Sequence, residues 1–326
     1  MREKILLLLN ESDDYISGEE ISNKLGVSRT AIWKVIKSLK EQGYEIESVT
    51  RKGYKLLSSP DILEEEEIHY NLKTSLIGKK IITYDQVDST NKEAKKLALQ
   101  GTEEGTVIVA DEQLNGKGRR GRNWVSPKRT GIWMSMLLRP DIRPENASMI
   151  TLVAGLAVCK AIETTTDIKP LIKWPNDIVI NGKKICGILT EMSSEIDYIN
   201  FVVVGIGINV NTKKFPEELD SIATSLKLQG NKAYKRQDIL KKILEEFEIC
   251  YNKYLETEDL QEIIDEYNSY CVNISREVIV KSKDISITGT VKCVTPKGEL
   301  IVTDSTGKDT LITSGEVSVR GIYGYV

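Results

Sequence analysis

The chain has 326 residues, is 40% hydrophobic and 29% charged, and carries a formal net charge of −3. That length suits two or three domains with a sizeable core, and the acidic balance gives no global pull toward nucleic acid, so such binding needs a local basic patch. A lone histidine, His69, and five scattered cysteines without CxxC spacing exclude Ser-His-Asp hydrolysis, Cys-His catalysis and the usual zinc sites, and point to a reducing cytoplasm.

The opening MREKILLLLNESDD has too short an apolar stretch for a signal peptide, and no run of 18 apolar residues follows. Residues 1–58 read as helices ending in a hairpin. Ile5, Leu8 and Leu9 have helical spacing, Ser17 to Glu20 (SGEE) form a capping box, and Gly26 supplies a turn. Ser28 caps the next helix, whose Ile32, Val35, Ile36 and Leu39 make a buried face. Arg29, Trp33, Lys37 and Lys40 fall on another face, where Trp33 is expected to pack rather than to read a base. Strands follow around an Arg51-Lys52-Gly53 turn.

Residues 24–57 carry eight cations against three acids, a net of +5, whereas residues 1–23 have a net of −4. This pattern resembles a winged helix-turn-helix DNA-binding domain, with Ser28, Arg29, Thr30, Trp33, Lys34, Lys37, Arg51 and Lys52 as its expected DNA-contacting set. A solvated helix face, or a winged helix used for protein contacts, is the alternative. SSPDILEEEEI (58–68) reads as a linker whose glutamates start a solvated helix, leaving His69 on the surface.

Residues 75–270 mix strand and helix patterns. IITYDQV (81–87) and TVIVADEQ (106–113) are β-rich, and between them STNKEAKKLALQG is a helix capped at Ser89 or Thr90 and stopped at Gly101. GIWMSMLLRP (131–140) is a strand, and residues 148–163 form a long helix. Residues 172–192 form a hairpin turning at Asn181-Gly182, and FVVVGIGINV (201–210) is a buried strand. Helix fills most of 235–268. The mixture suggests α+β or a mixed sheet. In 271–326, about five short alternating strands with turns at Pro296-Lys297-Gly298 and Ser305-Thr306-Gly307 suggest a small barrel.

The stretch NGKGRRGRNW (115–124) interleaves three glycines with four cations, Lys117, Arg119, Arg120 and Arg122, and ends on Trp124. Glycines let backbone N–H groups converge on an anion, and arginines fork onto phosphate oxygens. A P-loop fails because Arg122-Asn123 follow Gly121 where Lys-Ser/Thr is required. An RGG-type RNA arm belongs in a disordered tract, whereas this loop sits between two strong strands, as an active-site loop does. Lys173 to Ile178 (KWPNDI) adds an amide and a carboxylate at a strand end, Lys184 starts the next strand, and Asn209 closes GIGIN. Such cations and amides suit condensation of a carboxylic acid with ATP, which needs no nucleophilic side chain. Cys186, with no base available, is expected to be a packed side chain.

DSTN (88–91), GKGRRGRNW (116–124), KWPNDI (173–178), KKICGILTE (183–191) and GIGINVN (205–211) together resemble the biotin–protein ligases. With the N-terminal winged helix, the likeness extends over essentially the whole chain to the bifunctional biotin ligase/biotin operon repressors. The resemblance implies an α+β multidomain protein: residues 1–65 a winged helix-turn-helix with linker, 66–270 a mixed-sheet, class II synthetase-like ligase domain, and 271–326 an SH3-like β-barrel. It implies formation of biotinyl-5′-AMP from biotin and Mg-ATP, then acyl transfer to a lysine of a biotin carboxyl carrier protein. It further implies cytoplasmic repression of biotin genes by an adenylate-bound homodimer on operator DNA, with no tightly bound metal.

By the same resemblance, Ser89, Thr90, Asn91 and Gln113 would bind biotin, and Lys117, Gly118 and Arg119 would close over biotin and phosphate. Trp124 would stack on adenine, with Arg119, Arg120, Arg122, Asn176 and Asn209 on the nucleotide. Lys184 would bridge the biotin carboxylate and the α-phosphate, making it catalytic with Arg119. Asp177 would coordinate Mg²⁺ or assist deprotonation of the incoming lysine. Lys117 stands where the family usually has arginine, keeping the charge but losing the planar fork. A lipoate-type protein ligase and a non-catalytic biotin-sensing repressor are the alternatives.

Overall fold

The computed structural model describes residues 1–281, 286–313 and 318–321. The chain divides into two compact units, Met1–Ile62 and Leu63–Val326.

The first unit runs α1 (Arg2–Glu11), α2 (Gly18–Leu25), α3 (Arg29–Glu41), β1 (Glu45–Val49) and β2 (Gly53–Ser58). The Ser17 and Ser28 side chains accept from the backbone N–H of Glu20 and Ala31, at 3.0 and 3.2 Å. Each thereby satisfies a donor that the first helical turn would leave orphaned. Gly26 ends α2 at φ +66°, and the Glu20 carboxylate pairs with Lys24 at 2.9 Å. Ile5, Leu9, Ile21, Ile32, Ile36 and Leu39 close the core, as their spacing implies.

The second unit begins with α4 (Glu65–His69), β3 (Ile81–Tyr84), α5 (Thr90–Leu99), β4 (Val107–Ala110), β5 (Gly131–Leu138) and α6 (Ile150–Thr166). It continues through β6 (Leu171–Lys173), β7 (Asp177–Ile180), β8 (Lys183–Ser194), β9 (Ile199–Asn209), the short α7 (Glu217–Asp220) and α8 (Leu226–Gly230), α9 (Arg236–Thr257) and α10 (Ile264–Tyr270). The last strands are β10 (Glu277–Lys281), β11 (Ser286–Val294), β12 (Leu300–Thr303), β13 (Asp309–Ile312) and β14 (Ser318–Gly321). The main sheet has the order β3-β4-β5-β9-β8-β7-β6, with only β3 and β4 parallel. The C-terminal strands form an antiparallel sheet, β13-β12-β11-β10-β14. The expected solvated start at 64–67 is corrected: α4 belongs to this unit's core, where Ile68 and Glu67 are buried.

Alternation along β9 decides which face does what. Val202, Val204, Ile206 and Ile208 pack with α6 and α9, so α6 is apolar all round because it lies between the sheet and α9. The opposite face carries Phe201 and Val203 against Ala94 and Ala98 of α5, then Gly205, Gly207 and Asn209. Beyond Val203, α5 leaves that second face uncovered by helix.

One carboxylate fixes the entry to β3. Glu248 on α9 accepts from the backbone N–H of Ser75, Leu76 and Ile77 at 2.6, 2.8 and 2.7 Å, and from the Ser75 hydroxyl at 2.9 Å. Burial opposes its charge, but those four donors outweigh burial and hold the carboxyl below its usual range. Its contribution is therefore present above the ordinary glutamate pKa and is lost as pH falls through the lowered native value. Glu248→Ala should cost about 1–3 kcal/mol at neutral pH by stranding these donors. Urea unfolding between about pH 3 and pH 7 should show the variant lacking that part of the acid-dependent loss.

Candidate active site and a basic helix face

The uncovered half of the sheet is floored by glycine. Gly187 pairs with Gly207, and Leu189 with Gly205, across β8 and β9. A Cβ on Gly207 would lie 2.4 Å from Trp124 Nε1, and one on Gly205 would lie 2.1 Å from Asn91 Oδ1. A Cβ on Gly187 would meet both Lys184 Nζ and the Trp124 ring at 3.2 Å. An indole, an amide and an ammonium thus rest on bare backbone.

At one end of this floor, the start of α5 meets the loop after β4. Ser89 occupies the N-cap but makes no capping hydrogen bond; it lines the cavity instead. The Thr90 backbone N–H donates to Gln113 Oε1 at 2.9 Å, and Gln113 Nε2 donates to Ser126 Oγ at 2.9 Å. Asn91 Nδ2 donates to Leu189 O at 3.2 Å and to Glu191 Oε2 at 2.8 Å, so both amide hydrogens are used inside the protein.

At the other end sits the glycine-cation loop. The Trp124 N–H donates to Gly116 O at 2.8 Å, and the Gly118 N–H to Arg122 O at 2.7 Å, so the loop doubles back and lays Trp124 on β9. Arg119 Nη1 donates to Asn176 Oδ1 at 2.6 Å, and Asn176 Nδ2 donates to Ile188 O at 3.1 Å. Burial pushes the Arg119 pKa down, Asp177 works the other way, and Arg120 and Arg122 add to the lowering. Lys184 Nζ lies 2.5 Å from Asp177 Oδ1 and 5.3 Å from the Trp124 ring centre.

Lys184 reaches this face through a β-bulge. Asp177 pairs with Gly187 and Ile178 with Cys186, but Val179 pairs with Lys184, leaving Ile185 as an extra residue. Without it, alternation would put Lys184 on the face of Cys186 and Ile188, in the core. Cys186 is buried as expected, and burial pushes its thiol far above its ordinary value. The cis Trp174–Pro175 turn before Asn176 is held from the C-terminal strands, with Trp174 Nε1 donating to Gly298 O at 3.2 Å.

These residues enclose a cavity of about 490 Å³. Its lining brings together Ser89, Thr90, Asn91, Gln113, Lys117 and Gly118 with Arg119, Arg120, Arg122, Trp124, Asn176, Asp177, Lys184 and Asn209, all singled out from sequence. Sequence reasoning missed the buried cation Lys173, the bare floor, and Ile222, whose carbonyl accepts from the Lys184 N–H at 2.8 Å. The alternation of GIGIN was the available signal for the floor. Six lining cations, Lys117, Arg119, Arg120, Arg122, Lys173 and Lys184, face one carboxylate, Asp177, so the cavity suits an anion beside an aromatic platform.

In the first unit, Ser28, Arg29, Thr30, Trp33, Lys34 and Lys37 are exposed on α3, and Arg51 and Lys52 on the β1–β2 turn. The expected packing of Trp33 is corrected: it is 54% exposed, because the buried stripe of α3 is Ile32, Ile36 and Leu39. Its ring lies 5.7 Å from Lys37 Nζ instead. Arg29 is paired with Glu19 at 2.6 Å.

Residues 83–209 match the biotin/lipoate A/B protein ligase family, and residues 1–55 match an HTH domain. The chain is 41% identical over 310 residues to the bifunctional ligase/repressor BirA of Bacillus subtilis, spanning 94% of this chain and 95% of that protein. It is 30% identical over 258 residues to the biotin–[acetyl-CoA-carboxylase] ligase of Mycobacterium tuberculosis, spanning 76% and 93%. Among solved structures it resembles the biotin protein ligase from Aquifex aeolicus in complex with biotin and ATP. The TM-score is 0.67 at 34% identity, covering 74% of this chain and 99% of that one.

The floor makes a packing prediction. Gly205→Ala forces Asn91 from its seat and should cost about 1–3 kcal/mol in denaturant unfolding. In an Asn91→Ala background the same change should cost much less. Additive costs in that double-mutant cycle would mean the two residues do not share the space.

Proposed function

This chain belongs to the bifunctional biotin–protein ligase/repressor family, and from that premise we propose how its residues carry the two activities. The observation that carries the reading is Lys184, held by Asp177 over the Trp124 ring in a cavity whose other cations converge on the same space. In the first step a biotin carboxylate oxygen bonds to the α-phosphorus of ATP as the bond to the β-phosphoryl oxygen breaks, and pyrophosphate leaves. Lys184 sits between the two anions and offsets their repulsion. Arg119, aimed by Asn176, meets charge developing on the phosphoryl oxygens. Trp124 gives adenine a face to stack on, with Asn209, Arg120 and Arg122 around the nucleotide.

Ser89, Thr90 and Gln113 take the biotin ring, with Lys117 and Gly118 closing over it; Asn91, whose amide hydrogens are engaged, shapes that end. Mg²⁺ enters with the ATP phosphates. Asp177 is the lining carboxylate able to meet that ion or, in the second step, to accept a proton from the carrier-protein lysine. That amine nitrogen bonds to the acyl carbon and AMP departs.

We assign the first unit to operator DNA through α3 and the β1–β2 turn, and divide the chain functionally at 1–65, 66–270 and 271–326, the last an SH3-like barrel. The adenylate-bound protein is a cytoplasmic homodimer on its operator: beyond Gly187, β8 pairs only with β9 among the described residues. The end of that strand is therefore open to pairing with a second copy.

Lys184→Ala should slow biotinyl-AMP formation roughly a hundredfold or more, while the exposed Lys79→Ala stays near wild type. Single-turnover formation of biotinyl-AMP measures both, and equal small effects would remove Lys184 from the mechanism. Lys34→Ala should weaken operator binding and lower the slope of log affinity against log salt by about one. An unchanged slope in a salt titration would take Lys34 off the phosphate backbone.

A further inference from the structure

Trp33 is the exposed large apolar side chain of α3 among the described residues, and cations flank it along the helix. One turn before it, Arg29 is paired with Glu19 of α2 at 2.6 Å. One turn after it, Lys37 Nζ lies 5.7 Å from the ring centre and 3.9 Å from Glu41 Oε1. Thr30, three residues back, is exposed on the same side of the helix. An indole more than half exposed therefore stands between two cations, each with a partner of its own. Packing gives no reason for it, since Ile32, Ile36 and Leu39 already close the helix onto its core.

The two kinds of side chain suit different parts of a duplex. Arg29, Lys34 and Lys37 can neutralise phosphates, which are the same in every sequence. An indole brings no charge to a phosphate and gains most by covering apolar surface. Base edges in the major groove are hydrogen-bond donors and acceptors, with one apolar group among them, the C5-methyl of thymine. Trp33 falls in the N-terminal half of α3, the part of a recognition helix that approaches base edges. We propose that Trp33 is a specificity-determining residue of the repressor, its ring covering the methyl group of a thymine in the operator. The inference deepens the assignment of the first unit to operator DNA and rests on it. Lys37 steadies the ring, while the cations on either side take phosphates. Losing the ring removes selectivity at that base pair and leaves the phosphate contacts in place.

The test uses the full-length protein with biotinyl-AMP and duplexes selected from a random-sequence pool. Wild type should select sites with a thymine preference that Trp33→Ala loses, the preferences at other positions being kept. Replacing that thymine by uracil removes only the methyl group. It should weaken wild type about tenfold and barely change the binding of Trp33→Ala. The slope of log affinity against log salt and the melting temperature should be the same in both proteins, because neither a phosphate contact nor a core contact is lost. A Trp33→Ala protein that keeps every base preference, equal uracil penalties in the two proteins, a salt slope lowered by about one, or a lower melting temperature would each overturn the proposal. A wild-type protein that selects no sequence would instead overturn the assignment of the first unit to DNA, a separate and visible outcome.

Discussion

A side chain cannot lie flat on a β-sheet that already carries side chains, and the site depends on suspending that rule at Gly187, Gly205 and Gly207. Each missing Cβ is a space that another residue fills within 3.2 Å or less of where the Cβ would stand. The Trp124 ring, the Asn91 amide and the Lys184 ammonium therefore approach one patch of backbone from the loop after β4, from α5 and from β8. The opposite face of the same strands keeps its valines and isoleucines against α6 and α9. Rigidity on one side supports openness on the other.

The charges are arranged by the same division of labour. Arg120 and Arg122 ride on an exposed loop, whereas Arg119 and Lys184 are fixed by side chains of the β6–β7 turn, Asn176 and Asp177. That turn is itself braced by Trp174 on Gly298 and by the Trp174 N–H donating to Asn273 Oδ1 at 2.9 Å. The C-terminal segment thus takes part in aiming two cavity cations to which it contributes no charge.

Much of this was legible in the sequence where residue type alone carries chemistry. Glycines among arginines, an amide beside a carboxylate, and serines at helix starts keep their meaning without coordinates, and the capping bonds of Ser17 and Ser28 fall where they were expected. Properties that belong to pairs were hidden. Ser89 occupies a cap position without capping, Glu67 is buried within an acidic run, and Trp33 stands in solvent because three residues of α3 already fill its core stripe. Ser135 looks like an ordinary strand residue until β5 is set beside Gly205. Lys95 looks like an ordinary helix lysine until Glu191 is seen below it.

The extra residue at Ile185 also bears on how such a site tolerates change in chain length. Along a regular strand, side-chain identity and facing direction vary independently, so a lysine can be gained or lost by substitution alone. Here the facing of Lys184 is a matter of counting. Adding one residue between Lys184 and Gly187, with the single bulge kept, would turn the ammonium out of the cavity and send a charge into the packed interior. Such an error damages chemistry and folding together, and no single replacement at position 184 repairs it. Spacing in this short segment is thus as much a functional element as the lysine it presents.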